Sequence, residues 1–234
     1  MAENDMCHDR AETPLDALGI MASQQAIIGP NLRQLEMYTR RGLLSLLWHE
    51  PDGDAQNVGV VMVGGAMGGT LGPGDSLFQA LGEALVAQGI PSIRMSYRKP
   101  NDMDSCCVDT AAAVQLLVGS GADAVVVMGH SFGGAVAIRV AVGLAQMVCG
   151  VVTFATQSAG CEIAGGLGTI PLLMFHGDKD SILPLEASEV VRAIAGTGDL
   201  RVMHGDDHLL AKSHDEMFAT TMNWLHTVFT ERTS

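Results

Sequence analysis

The runs VGVVMV (58–63), VVVM (125–128), GVVTFA (150–155) and PLLMF (171–175) barely alternate between apolar and polar residues. A strand with one face in water alternates; one that does not is buried on both faces. Strands of that kind need cover on two sides. A mostly parallel sheet with helices packed on each face supplies it.

Helical patterns fall between the runs. DSLFQALGEALVAQG puts Leu77, Leu81 and Leu85 on one face, with a start at Asp75/Ser76 and a stop at Gly89. VDTAAAVQLLVG precedes VVVM, and PLEASEVVRAIAG opens with Pro184 in its first turn and stops at Gly196. The last helix has Ser213 and Glu216 at capping-box spacing and aligns Phe218, Met222, Leu225 and Phe229. IPSIRMSY (90–97) and LRVM (200–203) read as further strands, and LEMYT and LLSLLWH flank Arg40-Arg41-Gly42 as a strand pair with a tight turn. The expected fold class is α/β, with a mostly parallel central sheet and helices on both faces. One domain is expected over 34–234. Residues 1–33, punctuated by Pro14 and Gly29-Pro30, are expected to be an N-terminal extension, partly disordered or carrying a short helix.

Charge excludes some partners. The 234 residues carry a formal charge of -13 with no cluster of Lys or Arg, which argues against a nucleic-acid groove or an anionic membrane surface. AVAIRVAVGLAQMVCGVVTFA is long and apolar, but Arg139, Gly143, Gln146 and Gly150 divide it into a helix and a strand rather than a membrane span. The N-terminus, MAENDMCHDRAETP, is acidic and shows no signal peptide. Five cysteines, Cys7, Cys106, Cys107, Cys149 and Cys161, form no CxxC pair, and their odd number fits a reducing cytoplasm.

The stretch GHSFG (129–133) places a serine between a buried strand and a helix, flanked by glycines. This is the G-x-S-x-G nucleophile elbow, a turn so sharp that glycines must let strand and helix approach. Ser131 then projects from the C-terminal edge of the sheet, and the Phe132 N–H, at a helix N-terminus, can face a developing oxyanion. A serine hydroxyl needs a base, and the base needs an acid to orient it. HGDKDSILP follows one late strand and HGDDHLL the next. The acid is Asp178 or Asp180, and spacing alone does not choose. His208 is the base of choice, because it lies in the loop between the last strand and the last helix. His204 sits on the strand end and His214 in a helical turn. His130 and His176 read as supports, and His8, His49 and His226 as surface or core residues.

These motifs together resemble the α/β-hydrolase superfamily, in particular its small single-domain esterases and dienelactone-hydrolase-like members. GHSFGG is similar to their elbow, HGDKDSILP to their H-G-x-x-D-x-x-x-P acid loop, and GDDHLL to their histidine loop, over roughly residues 35–230. The resemblance implies a catalytic domain with Asp180 as the acid. It also implies a second oxyanion donor in GGAMGGTLGPGD: Gly64-Gly65 stands where relatives often carry H-G, which nominates the Ala66 N–H, with Met67 as the alternative. Dienelactone hydrolases proper carry a cysteine nucleophile where this chain has Ser131.

The function expected is cleavage of small soluble carboxylic esters through Ser131, His208 and Asp180, with no cofactor, no metal and no nucleic-acid or membrane partner. The same triad could serve a thioesterase, peptidase, perhydrolase or acyltransferase, and a non-catalytic hydrolase-fold binder is the non-enzyme rival. GGAMGG matches neither a dinucleotide fingerprint nor a P-loop. His204, Asp206, Asp207 and His208, with His176, Asp178 and Asp180, make a metal hydrolase the other rival, but it leaves the serine turn unexplained. Between GVVTFA and PLLMF only TQSAGCEIAGGLGTI intervenes, too short for a helical cap.

Overall fold

The structure, a computed structural model, describes residues 13–233. It opens with a short helix α1 (Pro14–Leu18), capped by Thr13 and ended by Gly19 in the left-handed region. Three antiparallel strands follow: β1 (Ile20–Gly29), β2 (Leu32–Thr39) and β3 (Gly42–His49). The chain then alternates through β4 (Val58–Val63), α2 (Pro73–Ala87), β5 (Ser92–Ser96), α3 (Met103–Gly119) and β6 (Ala124–His130). It ends with α4 (Phe132–Gly143), β7 (Val148–Phe154), β8 (Leu172–Gly177), α5 (Glu186–Ala195), β9 (Asp199–Met203) and α6 (His214–Thr233). Among the described residues no helix is long and apolar enough to cross a membrane.

The nine strands form one sheet in the order β1-β2-β3-β5-β4-β6-β7-β8-β9, and β1 and β3 alone run against the others. The unalternating runs have the burial they called for. In β4, Val61 and Val63 enter one core while Val58, Val60 and Met62 enter the other. In β6, Val125 and Val127 divide from Val126 and Met128 in the same way. The first core packs under α1, α3 and α4, the second under α2 and α6. Period-two geometry sends every other residue to opposite faces, so two covered faces require two apolar sets.

Two expectations need correction. Residues 20–29, assigned to the N-terminal extension, form β1, and β2 begins at Leu32, so the sheet starts before residue 34. Gly29-Pro30 ends β1 rather than a helix, because Pro30 and Asn31 turn the chain back into β2. The expected short helix is α1; the rest of the extension, with Cys7 and His8, lies outside the described residues. In α2 the first turn is not helical, since Gly74, Asp75 and Ser76 all have left-handed dihedrals and the regular helix begins beyond them.

Parallel strands bring their C-terminal ends to one edge. The loops after β4, β6, β7, β8 and β9 therefore share that edge. From β4 the chain moves through α2 to β5 on one side, then returns through α3 to β6 on the other. A crevice opens where strand order reverses in this way, and ligands of open α/β sheets bind there. Here the reversal lies between the ends of β4 and β6, at Val63 and His130.

Candidate active site

Ser131 sits at the end of β6 with φ 55° and ψ -120°, a backbone geometry that an L-residue adopts only under strain. Three glycines make the turn possible. A Cβ on Gly129 would lie 1.9 Å from the Gly133 carbonyl oxygen, and one on Gly133 would lie 2.3 Å from that of Gly64. One on Gly134 would strike Thr156 Oγ1 at 2.3 Å. Helix, strand and the loop after β4 thus touch backbone to backbone.

That loop runs beside the serine. A Cβ on Gly65 would sit 3.5 Å from Ser131 Cβ. Tyr97 Oη donates to the Gly64 carbonyl at 3.3 Å, and the Gly68 N–H closes a tight turn onto Gly65 O at 2.8 Å. Ala66 lies within this turn, half-buried, while Met67 is 93% exposed. Among the described residues neither the Ala66 nor the Phe132 N–H donates to a backbone acceptor outside the regular elements. Phe132 opens α4, where first-turn N–H groups lack helical partners.

The two candidate acids have separate partners. Asp180 Oδ2 accepts from His208 Nδ1 at 2.7 Å, with both side chains buried. Asp178 Oδ2 faces His204 Nδ1 at 3.1 Å, and the His204 side chain is 85% exposed. Asp180 Oδ1 also accepts from the N–H groups of Ile182 and Leu183 at 2.8 and 2.9 Å. Burial alone would raise the Asp180 pKa, but the Leu183, His208 and Ile182 donors hold it below the usual carboxylate value. The carboxylate is thus kept ionised opposite the imidazole. With Nδ1–H committed to Asp180, Nε2 of His208 is the lone-pair nitrogen.

His176 and His130 support the pair from two sides. His176 Nε2 donates to Leu183 O at 2.9 Å and lies 3.3 Å from Asp180 Oδ2, while Nδ1 accepts from Ser188 Oγ at 2.6 Å. His130 Nε2 donates to the His208 carbonyl at 3.0 Å, and the two rings lie 5.0 Å apart. The residue before Ser131 thereby holds the loop that carries His208. Burial pushes the His130 pKa down to about 4, so the ring is neutral at physiological pH. Among the described residues no three His, Cys, Asp or Glu side chains converge to hold a metal ion. His204 lies just beyond β9 and bonds Asp178, His214 bonds the Gly74 carbonyl, and His226 is exposed on α6.

One support had only a faint sequence signal. Arg94, the one charged residue of β5, is buried; it donates from Nε to His49 Nε2 at 2.9 Å and from Nη1 to Thr70 O at 3.2 Å. It anchors the far end of the loop that carries Ala66. His49, read as surface or core, is that arginine's acceptor, with its pKa pushed down to about 4 by burial and by the Arg94 charge.

Strand order, parallel direction and the strained serine turn define an α/β-hydrolase fold. Neither a protein-family model nor a curated protein matches the sequence. Solved structures match over most of the chain. An alpha-beta serine hydrolase homologue from Coxiella burnetii is 19% identical, with 83% of this chain and 97% of the other covered and a TM-score of 0.63. Est1E from Butyrivibrio proteoclasticus is 15% identical over 84% and 99%, with a TM-score of 0.71. XC6422 from Xanthomonas campestris, an a/b serine hydrolase without lid, is 16% identical over 86% and 97%, with a TM-score of 0.68. The fold of this chain is that of these α/β hydrolases.

Proposed function

We propose that the protein is a serine hydrolase that cleaves carboxylic esters of small soluble substrates. The observation that carries this reading is Ser131, strained at φ 55° on the same sheet edge as the buried His208–Asp180 pair. His208 Nε2 takes the hydroxyl proton as Ser131 Oγ bonds to the acyl carbon and the carbonyl π pair moves onto oxygen. The N–H groups of Phe132 and Ala66 receive that oxyanion. The oxyanion then collapses, the C–O bond to the alcohol breaks, and the imidazolium gives its proton to the departing alkoxide. Water repeats the cycle on the acyl-enzyme, releasing the acid and restoring Ser131. Asp180 holds the ring and balances its transient positive charge.

Among the described residues Cys106, Cys107 and Cys161 are free thiols, which supports a reducing, cytoplasmic setting. The test is labelling by a fluorophosphonate together with turnover of a panel of esters, thioesters and amides. Ser131 should be the labelled residue, and Ser131→Ala should lose roughly 10³-fold or more in kcat with its fold intact. Ester turnover retained in full by Ser131→Ala would discard the assignment, and absence of labelling would favour a binding protein.

A further inference from the structure

The two edges of the sheet are built differently. β9 is five residues long and carries Asp199 and Arg201, charges of the sort that keep an edge strand from pairing with another chain. β1 is ten residues long, IMASQQAIIG, with no charged residue and no proline. Among the described residues it pairs with β2 alone, so half of its N–H and C=O groups point outward unpaired. Its apolar side chains are open: Ile27 is 86% exposed, Met21 62% and Ile28 50%. Its regular register against β2 runs from Ala22 to Ile27, with an irregularity at each end.

The order of residues in this strand has a symmetry of its own. About Gln24 the pattern is Ser23 and Gln25, then Ala22 and Ala26, then Met21 and Ile27, then Ile20 and Ile28. Two antiparallel copies related by a two-fold axis normal to the sheet keep each side chain on its own face. Opposed residues must therefore share parity, and the axis must pass through a residue rather than between two. An axis through Gln24 opposes polar to polar and Ala22 to Ala26, and lays the Ile20–Met21 end of one strand against the Ile27–Ile28 end of the other. An axis through Gln25 would set Ser23 against Ile27, and one through Ser23 would set Met21 against Gln25. Only the Gln24 register matches like with like along the strand.

We propose that β1 is a self-association edge, through which a second copy of this chain adds antiparallel β1 to β1 about a two-fold axis at Gln24. The sheet then runs continuously through both copies, and the contact is isologous, so it closes at a dimer. β2, β3 and β5 separate this edge from the crevice between β4 and β6, so both candidate sites stay open. Each copy carries a formal charge of -13, so added salt screens their repulsion and tightens the pairing.

Sedimentation velocity of the full chain at low to high micromolar concentration is the test. The wild type should approach twice its 24.5 kDa mass as concentration and salt rise. Ile27→Lys, at an exposed position outside the candidate site, should return the monomer with hydrolysis unchanged. Gln24→Cys should give an oxidised, disulfide-linked dimer, because residues opposed on a two-fold lie close enough to bridge. Gln25→Cys should cross-link less, with the wild type under the same oxidant as control for its native thiols. A wild type that stays monomeric throughout overturns the proposal, as does a dimer that Ile27→Lys leaves intact. Cross-linking of Gln25→Cys ahead of Gln24→Cys overturns the register.

Discussion

His208 Nδ1 lies 2.7 Å from Asp180 Oδ2, while Asp178, two residues earlier, bonds the exposed His204 instead. The two His–Asp pairs have similar sequence surroundings and different physics, since one is buried and the other stands in solvent. A buried pair keeps its orientation and its charge; an exposed one is screened and exchanges with water.

Asp180→Asn should therefore lower kcat by roughly 10³- to 10⁴-fold, because the ring loses the acceptor that fixes its tautomer. Asp178→Asn should stay within a few-fold of wild type. Steady-state kinetics on a soluble ester, with circular dichroism to check the fold, decides this; the opposite ranking moves the acid role to Asp178.

Strain at the serine turn should be measurable as stability. Ser131 holds φ 55° with a side chain in place, and glycine adopts positive φ without that penalty. Ser131→Gly is expected to abolish hydrolysis while raising stability by about 1–2 kcal/mol in urea denaturation. An equal or lower stability would mean that the turn stores no strain.

Glycines of one helix should differ sharply. A Cβ on Gly133 meets the Gly64 and Val63 carbonyl oxygens at 2.3 and 2.8 Å, whereas one on Gly143 meets nothing within 4 Å. Gly133→Ala should lose about 3 kcal/mol or more, since backbone atoms cannot move aside cheaply. Gly143→Ala should be neutral or gain up to about 1 kcal/mol. Comparable thermal midpoints for the two variants would contradict the close approach of α4 to β4.

Acid should destabilise the fold before the bulk of the carboxylates titrate. His130 and His49 have folded-state values near 4, below the ordinary 6.5, so the unfolded chain binds more protons between those values. Stability is then intact above pH 6.5 and falls as pH drops toward 4, by on the order of 3 kcal/mol per ring. Asp180, with its lowered pKa, adds stability above the unfolded carboxylate value that is lost as pH falls through the folded one. Urea midpoints from pH 7 to pH 4.5 check this, and His49→Gln should flatten the slope; an unchanged slope would remove His49 from the account.

Residues 155–171 contain one short 3-10 turn, Ala164–Leu167, and no helix that could cover the site. Without a cap there is little apolar surface to enclose a long acyl chain or to open at a lipid interface. Rates should be highest on soluble short- and medium-chain esters and show no jump at the substrate's solubility limit. Strong preference for emulsified long-chain triglycerides would refute this.

The sequence by itself determined what depends on short-range sterics and period. Four runs without alternation required two covered faces, and β4 and β6 do divide their residues between two cores. The glycines around Ser131 were legible because only a sharp strand-to-helix turn needs them at those spacings. Parallel order then fixed which loops meet, so the edge that gathers Ser131, Asp180 and His208 was readable as well. The tertiary structure alone decided which aspartate meets which histidine, because that depends on how loops after β8 and β9 return against each other over 28 residues. It also decided the reach of Arg94 to Thr70 and the grip of His130 on the His208 carbonyl, contacts between segments that no local pattern joins. β1 is the clearest case. Its residues are exposed on both faces apart from the terminal glycine, so burial impressed no alternation on them. Hydrogen bonds to β2 make it a strand, and backbone pairing of that kind leaves no mark in side-chain periodicity.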